Sequence, residues 1–388
     1  MLDVQTSNGA GAPRVRAQDA VFLNSPWVFK TCETKPSYRP TTELIALSEW
    51  IGRIQKLAKK EFGYGTVWIA GGSSRTVLDH VYFKKPLKMR DLDLFFVAGK
   101  REEEATAWRL AEAIEKAGIA RFERKKIRAK SRVNPHLPPG KAANQQLGYK
   151  AGYGIHLVHE THPILSLSIF HEAKDLELNG IMNVDKIMIR LEDGQSLAGF
   201  AQNVLGKVPY WKLAEQGVIE DKYEGYLAWL EKKPEILNWL SLSVEPPMKS
   251  IRILRSYAKC GYSALPETIQ GRFSELVKTA EEPKDHFEMM RSFLKILSDK
   301  LVAPQLAMLT SIGTLEFISP ELQKSLKGLS AADILARIEQ GISDERGLEG
   351  AAFPHPIRVL EALTHDLSPR ARTYLLKRAT EAYPTTFA

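Results

Sequence analysis

Cysteine is nearly absent. The 388 residues contain two, Cys32 and Cys260, far apart and without metal-ligand spacing. That excludes a disulfide framework and a cysteine zinc site, and it fits a reducing compartment. No apolar run approaches the roughly 18 residues that a membrane helix needs, and the N-terminal stretch has no signal-peptide apolar segment. A cytoplasmic protein with no membrane contact is therefore expected. Acidic excess is lacking too: 54 Lys and Arg face 46 Asp and Glu, a net charge of +8. A basic balance favours a polyanionic partner, nucleic acid first. The chain is 44% hydrophobic and 26% charged, enough to bury a substantial core in two or three domains.

What is present is concentrated between Thr66 and Val97, TVWIAGGSSRTVLDHVYFKKPLKMRDLDLFFV. A short apolar run, Val67 to Ala70, reads as a strand. Gly71-Gly72-Ser73-Ser74 reads as a turn, followed by a helix carrying Arg75. A basic connector leads to a second apolar run with Asp91 and Asp93. Residues i and i+2 of a strand share a face, so the two carboxylates project side by side. Their mutual repulsion is relieved by hard cations such as Mg²⁺, which take oxygen ligands. Two such ions hold a triphosphate and activate an attacking hydroxyl. The glycines allow close backbone approach to a phosphate, and the following helix start offers N–H groups to an anion. The competing reading is a βαβ unit with a tight turn and a solvated Asp-Leu-Asp at a strand end.

These residues resemble the head of the class II nucleotidyltransferases of the polymerase-β superfamily, the tRNA CCA-adding enzymes and bacterial poly(A) polymerases. That family carries GGxxRD and then DxD on the next strand. The matching positions are Gly71, Gly72, Arg75, Asp91 and Asp93; Thr76 stands where the family has aspartate. The resemblance implies that Asp91 and Asp93 are catalytic and hold two Mg²⁺, with Mn²⁺ as an alternative. It implies that Gly71, Gly72, Ser73 and Arg75 hold a nucleoside triphosphate, ATP being the expected one.

Further segments extend the likeness. AKDLELNG at 173–180 resembles the family's RRDFTINA, which closes the nucleotide pocket; Lys174, Asp175 and Asn179 match and Ala173 replaces an arginine. VEPPMKSIRILRSYAKCGYSA at 244–264 resembles the neck helix that reads the incoming base, with Lys249, Arg252 and Arg255 in register. On a helix these three lie at spacings of three, suited to a triphosphate or an RNA backbone. Pro246 and Lys249 replace the family's base-reading Asp–Arg pair, which removes an acceptor and a planar donor fork. In the family a third carboxylate lies near residues 156–160; His156 takes the nearest position, and Glu160 is the candidate.

Other features keep two readings. The basic run RFERKKIRAKSR, 121–132, is either a solvated edge or a phosphate-contacting surface. His156, His159 and His162 match no common zinc spacing and read as ordinary histidines. The aromatics Tyr210, Trp211, Tyr223, Tyr226, Trp229 and Trp239 suit core packing over base stacking. Arg370, Arg372, Lys377 and Arg378 form a basic C-terminal helix that could touch RNA.

The expected architecture is an α/β head on a small mixed sheet, then an all-α neck and body. The expected units are an irregular lead (1–40), a head (41–200), a neck (201–265) and a body with tail (266–388). The expected function is template-independent addition of nucleoside monophosphates to an RNA 3′ end, with RNA and a triphosphate as partners. The alternatives are nucleotidyl transfer to a protein or small molecule, and a catalytically inactive RNA-binding relative.

Overall fold

The computed structural model describes residues 38–63, 65–89, 91–98, 103–123, 128–132, 149–159, 161–170, 176, 181–243, 245–283, 285–343 and 355–383. The expected lead therefore lies almost wholly outside the described residues, as do Glu160, Lys174, Asp175, Asn179 and the whole segment 133–148.

The chain opens with helix α1, Thr42–Phe62. Leu44, Leu47, Trp50, Ile51, Ile54 and Ala58 make one buried stripe, the pattern that drives a helix onto a sheet. Thr41 caps its start by accepting from the Leu44 N–H, and Gly63 ends it at φ 82°. Then follow β1 (Val67–Ala70), α2 (Gly71–Phe83), β2 (Asp91–Val97) and α3 (Glu103–Lys116). Five more strands come next: β3 (Arg121–Phe122), β4 (Arg128–Arg132), β5 (Tyr149–Val158), β6 (Ile164–Phe170) and β7 (Met188–Leu191). A last short strand, β8 (Ile219–Glu220), follows the helices α4 (Leu197–Phe200) and α5 (Tyr210–Glu215).

The sheet order is β3-β5-β6-β2-β1-β7-β8, with β4 also on β5. It is mixed: β2 and β6 are parallel, and the other pairs are antiparallel. One face, carrying Ile69, Leu92, Leu94, Phe96, Leu165 and Leu167, packs against α1, α2 and α3 in the main head core. The other face carries a smaller apolar cluster of Trp68, Ala70, Phe95, Phe170, Leu176 and Met188. Asp91 and Asp93 alternate with Leu92 and Leu94, so they belong to this second face.

The head core runs through Ile219 to Tyr226, past the boundary expected at residue 200. β8 pairs with β7, which keeps this stretch attached to the sheet. The rest is helical: α6 (Gly225–Leu230), α7 (Trp239–Leu242), α8 (Pro246–Lys259), α9 (Glu267–Lys278), α10 (His286–Leu297), α11 (Val302–Ser311), α12 (Pro320–Leu326), α13 (Ala331–Ser343), α14 (Pro356–Leu363) and α15 (Pro369–Ala382). They share a second core, from Ile251 and Leu254 on α8 to Leu375 and Ala379 on α15. Proline opens α8, α12, α14 and α15 within the first two positions, where its missing N–H costs nothing. The chain is thus an α/β head followed by an all-helical neck and body. No helix among the described residues is long and apolar enough to cross a membrane.

Candidate active site

Helix α2 begins at Gly71 itself, with no intervening loop, because Gly71 sits at φ 58°. A left-handed residue there turns the chain from strand into helix, and a side chain would strain it. The Gly71 N–H donates to the Ile187 carbonyl at 3.1 Å. Ser74 Oγ lies 2.7 Å from the carbonyls of both Gly71 and Ile187. The first turn is thereby tied to β7, and the N–H groups that follow lack intrahelical acceptors.

Ser73 connects this turn to the aspartate strand. Its hydroxyl donates to the Asp91 carbonyl at 3.0 Å and accepts from the Asp93 N–H at 3.0 Å. A Cβ placed on Gly71 would lie 3.7 Å from Asp93 Oδ2. The helix start and both aspartates are therefore immediate neighbours. His156 on β5 is in register with Ser166 on β6, and Ser166 with Asp93 on β2. The histidine thus stands in the same cross-strand row as Asp93, two strands away.

The Asp91 carboxylate meets a group that no motif announced. Lys295 on α10 places its Nζ 3.1 Å from Oδ1 and 3.0 Å from Oδ2. Burial pushes the Asp91 carboxyl up; Lys295, then Arg255 and His156, outweigh it and hold the carboxyl below its ordinary value. Of the three neck cations, Arg255 thus acts directly on the aspartate. Arg252 is exposed and Lys249 half-buried on the same helix α8. Pro246, at the base-reading position of the resembled family, is the buried first residue of that helix.

Arg75 takes a different place from a surface phosphate ligand. It is 7% exposed, donates to Asp185 Oδ1 at 3.0 Å and to the Val184 carbonyl, and lies 4.8 Å from the Trp229 ring centre. It joins α2 to the turn before β7 and to helix α6. Asp79, one turn further along α2, accepts from Lys85 at 2.6 Å, Tyr226 at 3.0 Å and Trp229 at 3.4 Å. Tyr226, Tyr210 and Trp229 are thus structural, as the composition of the stretch suggested.

The carboxylate pair suits a hard divalent cation. Both donors are oxygens, both are half-buried on one face, and Asp91 already carries a cationic partner. Mg²⁺ is typically held by one or two carboxylates, with substrate phosphates and water supplying the rest. Among the described residues no group of three or more His, Cys, Asp or Glu could hold a metal ion; Glu160, the candidate third carboxylate, lies outside them.

No family model matches the chain. No curated protein matches it either. Solved structures do. An apo-form tRNA-processing enzyme is 14% identical, with 90% of this chain and 78% of that one covered at a TM-score of 0.48. A CCA-adding enzyme in complex with ATP is 12% identical over 89% of this chain and 68% of that one, TM-score 0.46. A tRNA nucleotidyltransferase complexed with a primer tRNA and an incoming ATP analog is 15% identical over 86% and 82%, TM-score 0.47.

Proposed function

We propose that this chain is a template-independent RNA nucleotidyltransferase, adding nucleoside monophosphates from a triphosphate to an RNA 3′ end. The observation that carries the reading is the junction of α2 and β2. Ser73 binds the backbone of both Asp91 and Asp93, so an anion-accepting helix start and a cation-demanding carboxylate pair form one unit. The motif order GG, R, DxD and the neck segment support it.

In this reading Asp91 and Asp93 would hold two Mg²⁺, or Mn²⁺ in their place. When bound, the ions acidify the attacking 3′ hydroxyl and neutralise the leaving pyrophosphate. The N–H groups of Gly72 and Ser73 would face the triphosphate, and Ser73 would keep the strand's aspartates in register with it. Arg255 would add positive charge beside Asp91, while Arg252 and Lys249 would extend it along α8. Asp175 and Asn179 would close the nucleotide pocket. Arg75 would serve the site through the Asp185 contact, as a positioning residue. The net charge of +8 would supply salt-sensitive affinity for RNA. ATP is the expected substrate and the cytoplasm the expected location. The head would span 41–200 with its β8 extension, the neck 201–265 and the body 266–388.

One observation favours a second reading, transfer to a protein or small-molecule acceptor. Pro246 has no side-chain hydrogen-bonding group and is buried at the start of α8, so the resembled family's means of reading a base is missing. Extension of labelled RNA, with each triphosphate and Mg²⁺, separates the two. Lengthening of the RNA supports the first, and pyrophosphate release without lengthening supports the second.

A further inference from the structure

Between α2 and the aspartate strand the chain carries a basic connector, Lys84-Lys85-Pro86-Leu87-Lys88-Met89, with no acidic residue in it. Its backbone is fixed. The Lys84 N–H donates to the His80 carbonyl at 3.0 Å and the Lys85 N–H to the Asp79 carbonyl at 3.4 Å, which closes the end of α2. The buried His80 donates from Nδ1 to the Lys85 carbonyl at 2.6 Å, and its Nε2 lies 3.0 Å from Thr41 Oγ1. Lys85 Nζ is 2.6 Å from Asp79 Oδ2. Leu87 and Met89 pack against the head core, and Lys88 between them is exposed.

Lys84 and Lys88 are the cations that this frame leaves over. Both are exposed, and among the described residues neither has a carboxylate within ion-pair distance. Lys84 stands at φ 54°, the left-handed helix-ending position that glycine ordinarily takes. The dipole at the end of α2 accounts for a cation at Lys84 or Lys85; it fades within the last turn and does not account for Lys88.

Both lysines stand on a path that ends at the candidate site. Ser73 holds the start of α2 to Asp91 and Asp93. From there to its end at Phe83 the helix covers about 15 Å, and the connector brings the chain back to Asp91. The Lys88 backbone, three residues before Asp91, is within about 11 Å of it. Lys84, at the far end of α2, is about 15 Å away. A stacked strand advances about 3.4 Å per nucleotide. Phosphates about three and about four nucleotides from a 3′ end held at Asp91 fall at these distances.

We propose that this connector is a docking surface for the phosphate backbone of the acceptor RNA, with Lys88 and Lys84 as its two contacts; this rests on the reading of the chain as an RNA nucleotidyltransferase. The triphosphate would sit at the other end of α2, on Gly72 and Ser73, so the two lysines serve the acceptor and not the nucleotide. An ammonium is a compact point charge on a flexible stem. It holds a phosphate without reading a base, so the surface accepts any RNA sequence upstream of the reacting 3′ hydroxyl.

The test is binding of a fluorescent, unstructured RNA oligonucleotide to the full chain, read by anisotropy over a series of salt concentrations. The double variant Lys84→Gln with Lys88→Gln is expected to bind about tenfold more weakly at low salt. Its slope of log affinity against log salt should be shallower by about 1.4, two single-strand contacts at about 0.7 each. Lys85 is left in place because it pairs with Asp79. A control, Lys56→Gln with Lys60→Gln, removes the same charge from exposed positions on α1 and should keep the wild-type affinity and slope. In RNA extension the connector variant should raise the acceptor KM about tenfold and leave kcat and the triphosphate KM near the wild type, the pattern of lost acceptor binding. Unchanged affinity and slope in the connector variant overturn the proposal. So does an equal loss in the control, which would mark net charge alone. Failure of the underlying reading looks different: the wild type itself then neither binds nor extends RNA, and the docking surface falls with it.

Discussion

Arg291 on α10 and Glu123 after β3 form a two-pronged ion pair, 2.6 and 2.8 Å, between the helical body and the head. Glu288, at 3.5 Å from the same guanidinium, completes a buried group of two acids and one base. Glu123 lies inside the basic run 121–132, where an acidic residue would be passed over as a minority charge. In the structure it is the residue that the body holds.

Removing one partner of such a pair leaves the other buried and uncompensated, at a cost of about 3–5 kcal/mol. Arg291→Met should therefore lower unfolding stability by about that amount. The double variant Arg291→Met with Glu123→Leu should recover part of it, since a buried pair is often replaceable by apolar groups while Glu288 still loses the guanidinium. Urea denaturation of the three proteins checks this. Equal losses in single and double variants would show that the pair is not what joins the two parts.

Gly71 carries φ 58° at the point where β1 becomes α2. Gly71→Ala should cost about 1–2 kcal/mol from left-handed strain alone, although 3.7 Å to Asp93 Oδ2 leaves room for the methyl group. Gly72→Ala, where φ is not left-handed and the nearest atom is the end of Arg75 at 3.7 Å, should cost less. Comparing the two melts distinguishes backbone strain from crowding.

Ser73→Ala removes the hydroxyl that bonds both aspartate backbones. The Asp93 N–H is left without that acceptor, a loss of about 1–3 kcal/mol. Since the same bonds place the aspartates beside the helix start, metal affinity should fall together with stability. Denaturation and Mn²⁺ titration on one preparation test the link; a stability loss with unchanged Mn²⁺ affinity would separate the two roles.

Cys260 is buried at 3% exposure, and burial pushes its thiol up to about 11. A raised thiol value means less thiolate at any pH below it. At pH 8 that leaves about 0.1% thiolate against roughly a quarter for an ordinary thiol. In a Cys32→Ser background, native Cys260 should react with maleimide at least two orders of magnitude more slowly than after unfolding. Fast native labelling would contradict the burial.

Where local pattern decides structure, the sequence reading matched it. Helix α1 runs from Thr42 to Phe62 because its apolar stripe, Thr41 and Gly63 all mark the same ends. Strand β6, Ile164–Phe170, reads ILSLSIF and is buried throughout, its two serines included. The adjacency of Asp91 and Asp93 follows from strand alternation. The turn expected at Gly71–Ser74 is instead the first turn of α2, since a single positive φ achieves the change of direction. Of the three cations read along α8, Arg255 acts on Asp91 and helps hold its carboxyl below the ordinary value. Lys295 was not anticipated, because nothing local pairs it with a residue 204 positions earlier. The available signal was the helix HFEMMRSFLKIL, where Arg291 and Lys295 interrupt an apolar face at i and i+4. Buried cations on a core helix imply acids across the interface.

The most direct test of the central claim is extension of labelled RNA on a denaturing gel. The acceptors are a tRNA ending before its CCA and an unstructured oligonucleotide, with Mg²⁺ and each triphosphate singly and mixed. The account predicts lengthening of at least one acceptor by the wild type, and none by Asp93→Ala or when the metal is chelated. Lengthening by a folded Asp93→Ala, or none by a folded wild type, would contradict it.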